Sequence, residues 1–276
     1  MLGKMLSIVL TGAALLSGSK NAALPEKDID GTIFLVNRQH VISEQYVPEP
    51  LRKTQVHGMS QSMREDVLYL NRRGHTARDV EEAAARIRDM GFSLGLQMMT
   101  GLYGDDAEGA RYTARKLAEL HPDTVRIYPT VVMKDTELGR LYQEGGYIPM
   151  GLEETIPLCA ELLSFFESRG IRVIRLGLHD TPELKRDMLA GAYHPALREL
   201  CESYLFLDRM LSALKERLPK RGVPVRVAVH PKAISKALGQ KRQNLQALKE
   251  AGFQVEFLQD ASVPLGNFRI IDSNAG

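Results

Sequence analysis

In residues 95 to 105, GLQMMTGLYGD, a glutamine and a threonine interrupt an apolar run that stops at a glycine. The pattern is that of a strand delivering Gln97, Thr100 and Gly101 to its carboxyl end. There an amide and a hydroxyl can hydrogen-bond a ligand, and a glycine lets the ligand approach the backbone. TVRIYPTVVM (124–133) offers Arg126 and Tyr128 in the same way, and QSM offers Gln61 and Ser62. Packing is the plainer reading of Met98, Met99, Ile127 and Val131. Arg72, Arg73 and His75 form a basic cluster before a helix start, a place for a phosphate or for a solvated loop. His179, followed by Asp180-Thr181-Pro182, reads as a helix-start turn rather than a catalytic dyad.

The two cysteines, Cys159 and Cys201, lie in helix-like runs (LCAELL and LRELCESYLF) at a spacing that suits neither a metal cluster nor a disulfide framework. They read as core thiols. His40 and His57 fall in polar, proline-punctuated sequence and read as loop residues rather than metal ligands.

The elements that must position these residues alternate. Within 276 residues, 44% hydrophobic and 25% charged content is ordinary for a globular protein, and a net charge of +2 does not by itself indicate nucleic-acid binding. MLGKMLSIVLTGAALLSGS has the form of a secretory leader, with a stray apolar helix as the alternative, and residues 1–24 are assigned to it. Residues 25–59 read as linker containing one strand, TIFLVN (32–37). Beyond residue 60 the spacing predicts a helix from Thr76 to Met90 opened by a capping box, a strand at 92–100 and a helix from Asp105 to Leu120. It predicts a strand at 124–133, helices at 136–144 and 152–169, and a strand at 171–178. Strands separated by helices indicate a parallel sheet. Pro195 to Arg217 is helical. VRVAVH, the helix within ISKALGQKRQNLQALKEAG, FQVEFL and NFRIID then form a small β-α-β-β module, with the boundary placed at residue 219, so that domains of 60–218 and 219–276 result.

The stretches QSM…NRRGHT, FSLGLQMMTGLYGD, DTVRIYPTVVMKDTEL and IRVIRLGL resemble the later part of the radical SAM enzymes related to the catalytic subunit of Elongator. The resemblance implies an α/β fold, a partial (βα) half-barrel of radical-SAM type followed by a small C-terminal α+β module. It implies chemistry on tRNA with S-adenosylmethionine and a [4Fe–4S] cluster held by three cysteines. It places Gln61 and Ser62 at the end of the family's fourth strand, Gln97, Thr100 and Gly101 at the fifth, and Arg126 and Tyr128 at the sixth, as cofactor-binding residues. No three-cysteine loop occurs in these residues, so the expectation is a truncated chain without catalytic residues that binds neither cofactor and is inactive alone.

The segment TIFLVNRQHVISEQYVPEPLRKTQVHGMSQSM (32–63) is similar to the leader and first strand of secreted D-alanyl-D-alanine carboxypeptidases, and an exported remnant of that kind is one alternative. Another is an RNA-binding protein. SKALGQKRQNLQALKEAG resembles a KH-type module with one glycine of its loop, and Lys232, Lys236, Lys241 and Arg242 would contact phosphates. The main resemblance implies a cytoplasmic protein with RNA as partner; the leader implies export. Missing barrel strands would leave an open sheet edge, expected either to take up TIFLVN beside the strand beginning near Gln61 or to drive self-association.

Overall fold

The computed structural model describes residues 32–35, 55–217 and 224–271. They form two compact units that divide between Pro195 and Ala196. The expected leader at 1–24 lies outside the described residues, and among those described no helix is long and apolar enough to cross a membrane.

The N-terminal unit runs β1 (Thr32–Leu35), β2 (Gln55–Gln61), α1 (Glu65–Leu70), α2 (Ala77–Asp89), β3 (Ser93–Thr100), α3 (Ala107–Glu119), β4 (Thr124–Pro129) and β5 (Val131–Met133). It continues with α4 (Glu137–Gln143), α5 (Leu152–Glu167), β6 (Arg172–Leu176), α6 (Pro182–Asp187) and β7 (Met188–Gly191). Its main sheet has the order β1-β2-β3-β4-β6, parallel throughout. β2 starts at Gln55, inside the stretch read as linker, and it ends at Gln61, where the family resemblance puts a strand end and not where the open-edge expectation has a strand begin. TIFL does pair with this strand, from Thr32 opposite Gln55 to Leu35 opposite Gly58, and so occupies the sheet edge.

Helices form where the sequence caps them. The Thr76 hydroxyl accepts from the Asp79 amide while the Asp79 carboxylate accepts from the Thr76 amide, a reciprocal box that opens α2. Asp106, Thr136 and Thr181 open α3, α4 and α6 by accepting from the amide three residues on. Leu94, Leu96 and Met98 of β3, Val125 and Ile127 of β4 and Val173 of β6 are buried. They lie on one face by register, and α2, α3 and α5 pack on these strands through Val80, Ala84, Ile87, Ala114, Leu117, Leu158 and Leu162.

The run TVRIYPTVVM is not a single strand. It bends after Pro129, and β5 leaves the main sheet to pair antiparallel with β7. Gly191 makes that pairing close: it sits at φ 111, and a Cβ there would lie 2.9 Å from the Thr130 carbonyl oxygen.

The C-terminal unit holds α7 (Leu197–Arg217), β8 (Pro224–Val229), a 3-10 turn at Pro231–Ala233, α8 (Ile234–Leu238), α9 (Gln243–Glu250), β9 (Gln254–Gln259) and β10 (Phe268–Ile271). Its sheet has the order β10-β8-β9, with β8 parallel to β9 and antiparallel to β10. The sequence boundary at 219 falls after α7, whereas the compact division falls before it. The physical reason is that Phe206, Met210 and Leu214 of α7 share one core with Val225, Val227, Val229, Leu248, Phe253 and Ile270. An apolar stripe on a helix shows that the helix is covered, not which sheet covers it.

Candidate functional site

The alternate residues of the parallel strands carry polar groups. Gln97 of β3 stands opposite Arg126 of β4, which stands opposite Arg175 of β6, and Met99 stands opposite Tyr128. This row lies on the face away from the apolar set described above. Arg175 donates to the carbonyls of Gly177 and Leu178 at 3.1 and 2.9 Å. His179 follows at the end of β6, and its ring is pushed below the usual histidine range by burial and by the charges of Arg175 and Arg126.

The carboxyl ends of β2 and β3 hold the other sequence candidates. Gln61 is 6% exposed and Gln97 4%, and their side-chain oxygens have no hydrogen-bond partner among the described residues. Gln61 also has φ 60, and the Ser62 amide donates to the Ser60 carbonyl at 2.7 Å, which makes residues 60–62 a γ-turn of the strained, positive-φ kind. Ser62 is placed differently from its neighbours. Its hydroxyl lies 3.3 Å from that of Thr113 on α3 and accepts from the Arg64 amide, so it is committed to the helix layer. Thr100 is buried with its hydroxyl against the thiol of Cys159, which burial pushes up to about 12. Gly101, at φ 70, turns the chain, and its carbonyl accepts from the Tyr147 hydroxyl at 2.5 Å. The Tyr147 and Tyr103 rings meet edge to face.

Two groups at these strand ends carry more than their sequence context indicates. The Arg73 guanidinium is held largely out of solvent, which pulls its pKa down. Its Nη2 meets the Met99 sulfur at 3.6 Å, and its Nε has no partner among the described residues. The residue is half-buried, and a guanidinium whose Nε is shut off from solvent without an acceptor is costly unless an anion joins it. Sequence reading reached this residue only as one of a basic cluster, because an Arg-Arg-Gly turn is most often solvated. In the sequence Asp105 marks only the start of a helix. Its side chain is fully buried, 3.5 Å from Arg64, and neither oxygen has a hydrogen-bond partner among the described residues. Gly109 leaves room for it, since a Cβ there would overlap the carboxylate. Burial raises this acid from 3.8 to about 6, against the pull of the Asp106 amide and Arg64.

The residues proposed for RNA all lie in the C-terminal unit. Lys232, Lys241 and Arg242 are exposed. Lys236 is ion-paired with Glu202, which also accepts from Arg198. Lys241 and Arg242 are consecutive left-handed residues (φ 50 and 62) after Gly239. The turn is anchored by Asn244, whose buried amide donates to Ser203 and to the carbonyls of Lys236 and Ala237.

A [4Fe–4S] cluster does not fit the thiols present. Both cysteines are 0% exposed, Cys159 inside α5 and Cys201 inside α7 of the other unit. Cluster ligands are thiolates, and burial keeps the Cys159 thiol protonated. The donor set at the strand ends does fit an adenosyl amino acid. Arg73 would hold its carboxylate, and the Gln61 and Gln97 oxygens would accept from ammonium or ribose hydroxyls.

Comparison with known proteins gives a consistent picture. The sequence profile of the Radical_SAM C-terminal domain matches residues 122–206. The chain is 29% identical over 153 residues to the tRNA uridine(34) acetyltransferase of Methanocaldococcus jannaschii, covering 52% of this chain and 27% of that one. It is 31% identical over 144 residues to Elongator complex protein 3 of Dictyostelium discoideum, covering 51% and 25%. The solved structure of the archaeal Methanocaldococcus infernus Elp3 with an N-terminal deletion superposes with a TM-score of 0.53 at 24% identity, over 65% of this chain and 41% of that one, a likeness of fold. The chain thus spans roughly a quarter of the length of these two curated relatives.

Proposed function

We propose, from its similarity to the Elongator-type radical SAM proteins, that this chain keeps an adenosyl-ligand site without the means to reduce the ligand, in place of the sequence expectation that it binds neither cofactor. S-adenosylmethionine supplies a 5′-deoxyadenosyl radical only when an iron–sulfur cluster delivers an electron, and two buried thiols in separate helices cannot hold that cluster. The chain by itself therefore binds and does not cleave. The observation that carries the reading is the half-buried Arg73 guanidinium, whose shielded Nε is unpartnered and whose Nη2 meets Met99 on the strand where the Gln97 oxygen is also unpartnered. Arg73 binds the anionic end of the ligand and the glutamines accept its donors, whereas the space beside Gly101 is taken by the Met150 side chain and stays closed to the ligand.

Two measurements check this. Anaerobic reconstitution with iron and sulfide is expected to give no iron–sulfide charge-transfer absorption and no 5′-deoxyadenosine above a protein-free control. Stoichiometric cluster loading would overturn the cluster-free reading. Equilibrium dialysis with S-adenosylmethionine is expected to show one site per chain, weakened about tenfold or more by Arg73→Ala, the loss of one charge-assisted contact. Retention of full affinity by that variant would remove Arg73 from the site.

The second reading concerns the partner. The relatives named for tRNA suggest RNA, and the exposed left-handed pair Lys241–Arg242 on its Asn244 anchor favours the C-terminal unit as the contact. Two successive residues held in this strained region are unusual for L-amino acids and present both cations to solvent. Single-stranded RNA is expected to bind the full chain in a salt-dependent way. Lys241→Ala with Arg242→Ala should weaken binding across sequences and lower the log–log salt slope by about two. Lys236, engaged by Glu202, should contribute less than either. Binding indifferent to the double substitution would leave the unit a structural cap. An RNA partner accords with the cytoplasmic protein that the sequence resemblance implies.

A further inference from the structure

Arg126, Arg175 and His179 stand together at the carboxyl ends of β4 and β6 and are used by neither ligand proposed above. Arg126 of β4 is the register partner of Arg175 of β6, so both side chains leave the sheet on the same side. Neighbouring strands lie about 5 Å apart, which brings the two guanidinium groups within reach of one small ligand. The charges of both reach the His179 ring, placed where β6 runs out into the turn before α6. Arg126 and Arg175 are half-buried and His179 is exposed, so the cluster is reachable from solvent.

Like charges side by side on a sheet repel, and such a pair costs stability unless an anion sits with it. Arg175 spends Nε and Nη2 on the carbonyls of Gly177 and Leu178 rather than on a carboxylate. Those bonds fix the guanidinium in place and leave its charge whole. Asp180, the carboxylate next in sequence to His179, is engaged elsewhere. It accepts from Lys185 Nζ at 2.8 Å and from the Tyr193 hydroxyl at 2.7 Å.

We infer that Arg126, Arg175 and His179 form a binding site for the terminal phosphate of a small phosphorylated molecule. A carboxylate brings one negative charge and suits one guanidinium, and an RNA phosphodiester also brings only one. A phosphate monoester brings close to two, on three acceptor oxygens. That matches two arginines, with an imidazole left to meet the third oxygen. S-adenosylmethionine has no phosphate, so this is a second ligand, and the inference stands without the adenosyl site. It takes Arg126 out of the adenosyl contacts that the family resemblance implies.

The test uses the full chain with inorganic phosphate as the probe, followed by NMR of the histidine rings. The signal lost in His179→Gln identifies His179. Phosphate is expected to move that signal in a saturable way and to raise the pH at which the ring titrates, because a bound anion favours the imidazolium. The charges acting on the ring are those of Arg175 and Arg126, with Asp180 and Lys185 paired to each other in the adjoining turn. Acetate at equal ionic strength should do neither. Arg126→Gln should weaken the phosphate response about tenfold, the loss of one charge-assisted contact. Arg78→Gln, which removes an exposed cation of α2, should leave it unchanged. No saturable response in the unsubstituted chain, an equal response to acetate, or equal losses in the two variants overturns the inference. The unsubstituted titration decides by itself if a variant folds poorly. Adenosine monophosphate and glycerol phosphate then separate a nucleotide from a smaller metabolite as the carrier of the phosphate. Rejection of both by a chain that takes up inorganic phosphate overturns the inference as well.

Discussion

Between pH 4 and pH 7 the N-terminal unit is expected to lose stability on the order of 2 kcal/mol through one side chain, Asp105. The folded chain holds this acid at about 6, above its ordinary 3.8. A group with a raised folded-state pKa binds its proton more tightly when folded. Its contribution is whole below 3.8 and gone once the pH has risen through about 6. The full shift would convert to about 3 kcal/mol, and screening at Arg64 brings it to about 2. The groups facing the carboxylate are Arg64, Asp106 and Asp66, so its one cation is shared among three acids. Other carboxylates titrate over the same window. The measurement is therefore the difference in unfolding free energy between wild type and Asp105→Asn at each pH. The two should agree near pH 4, and the asparagine variant should be the more stable at pH 7. Parallel curves would mean that Asp105 finds compensation when ionised.

The second expectation concerns where the C-terminal unit begins. A fragment of residues 196–276 is expected to fold and to unfold cooperatively, and a fragment from residue 219 onward is expected not to fold. The shorter piece would keep the three strands but lose Phe206, Met210 and Leu214, which are 2%, 0% and 0% exposed in the core. Sheets of three short strands need a covering layer to exclude water from their inner face. Within the full chain, Phe206→Ala should cost about 3–5 kcal/mol, the usual range for deleting a buried aromatic side chain. Circular dichroism of the two fragments and denaturant unfolding of the variant check both statements. A folded 219–276 fragment would show that α7 is an accessory to this sheet.

Legibility in the sequence follows the range of the forces involved. The Thr76–Asp79 box and the strand at 93–100 are local, set by caps and by an apolar run between glycines, and both stand where the sequence puts them. The break between β4 and β5 was hidden because TVRIYPTVVM is apolar on both sides of Pro129. The pairing that pulls β5 away comes from Met188–Gly191, a four-residue strand with no alternation to announce it. Gln61 and Gln97 could be picked out as polar residues in apolar company. Arg73 and Asp105 could not, since a charged residue in a turn is ordinarily wet and burial is decided by distant neighbours such as Met99, Arg64 and Gly109. Ser62 stands at a strand end, yet a neighbouring helix claims its hydroxyl through Thr113.

The strictly sequential order of the main sheet has a consequence for synthesis on the ribosome. In that sheet β2, β3, β4 and β6 each join the strand already laid beside them, and α2, α3 and α5 cover the apolar face as it grows. Growth from the N-terminus can therefore proceed with little uncovered surface at any moment. The C-terminal unit is arranged the other way round. α7 emerges first with its apolar stripe bare, and the strand it needs, β8, sits in the middle of a sheet whose flanking strands β9 and β10 come last. That helix finds partners of its own unit only as β8 and α8 follow it, and β8 gains its flanking strands only with β9 and β10. This is the interval in which a nascent chain most needs a chaperone's apolar shelter.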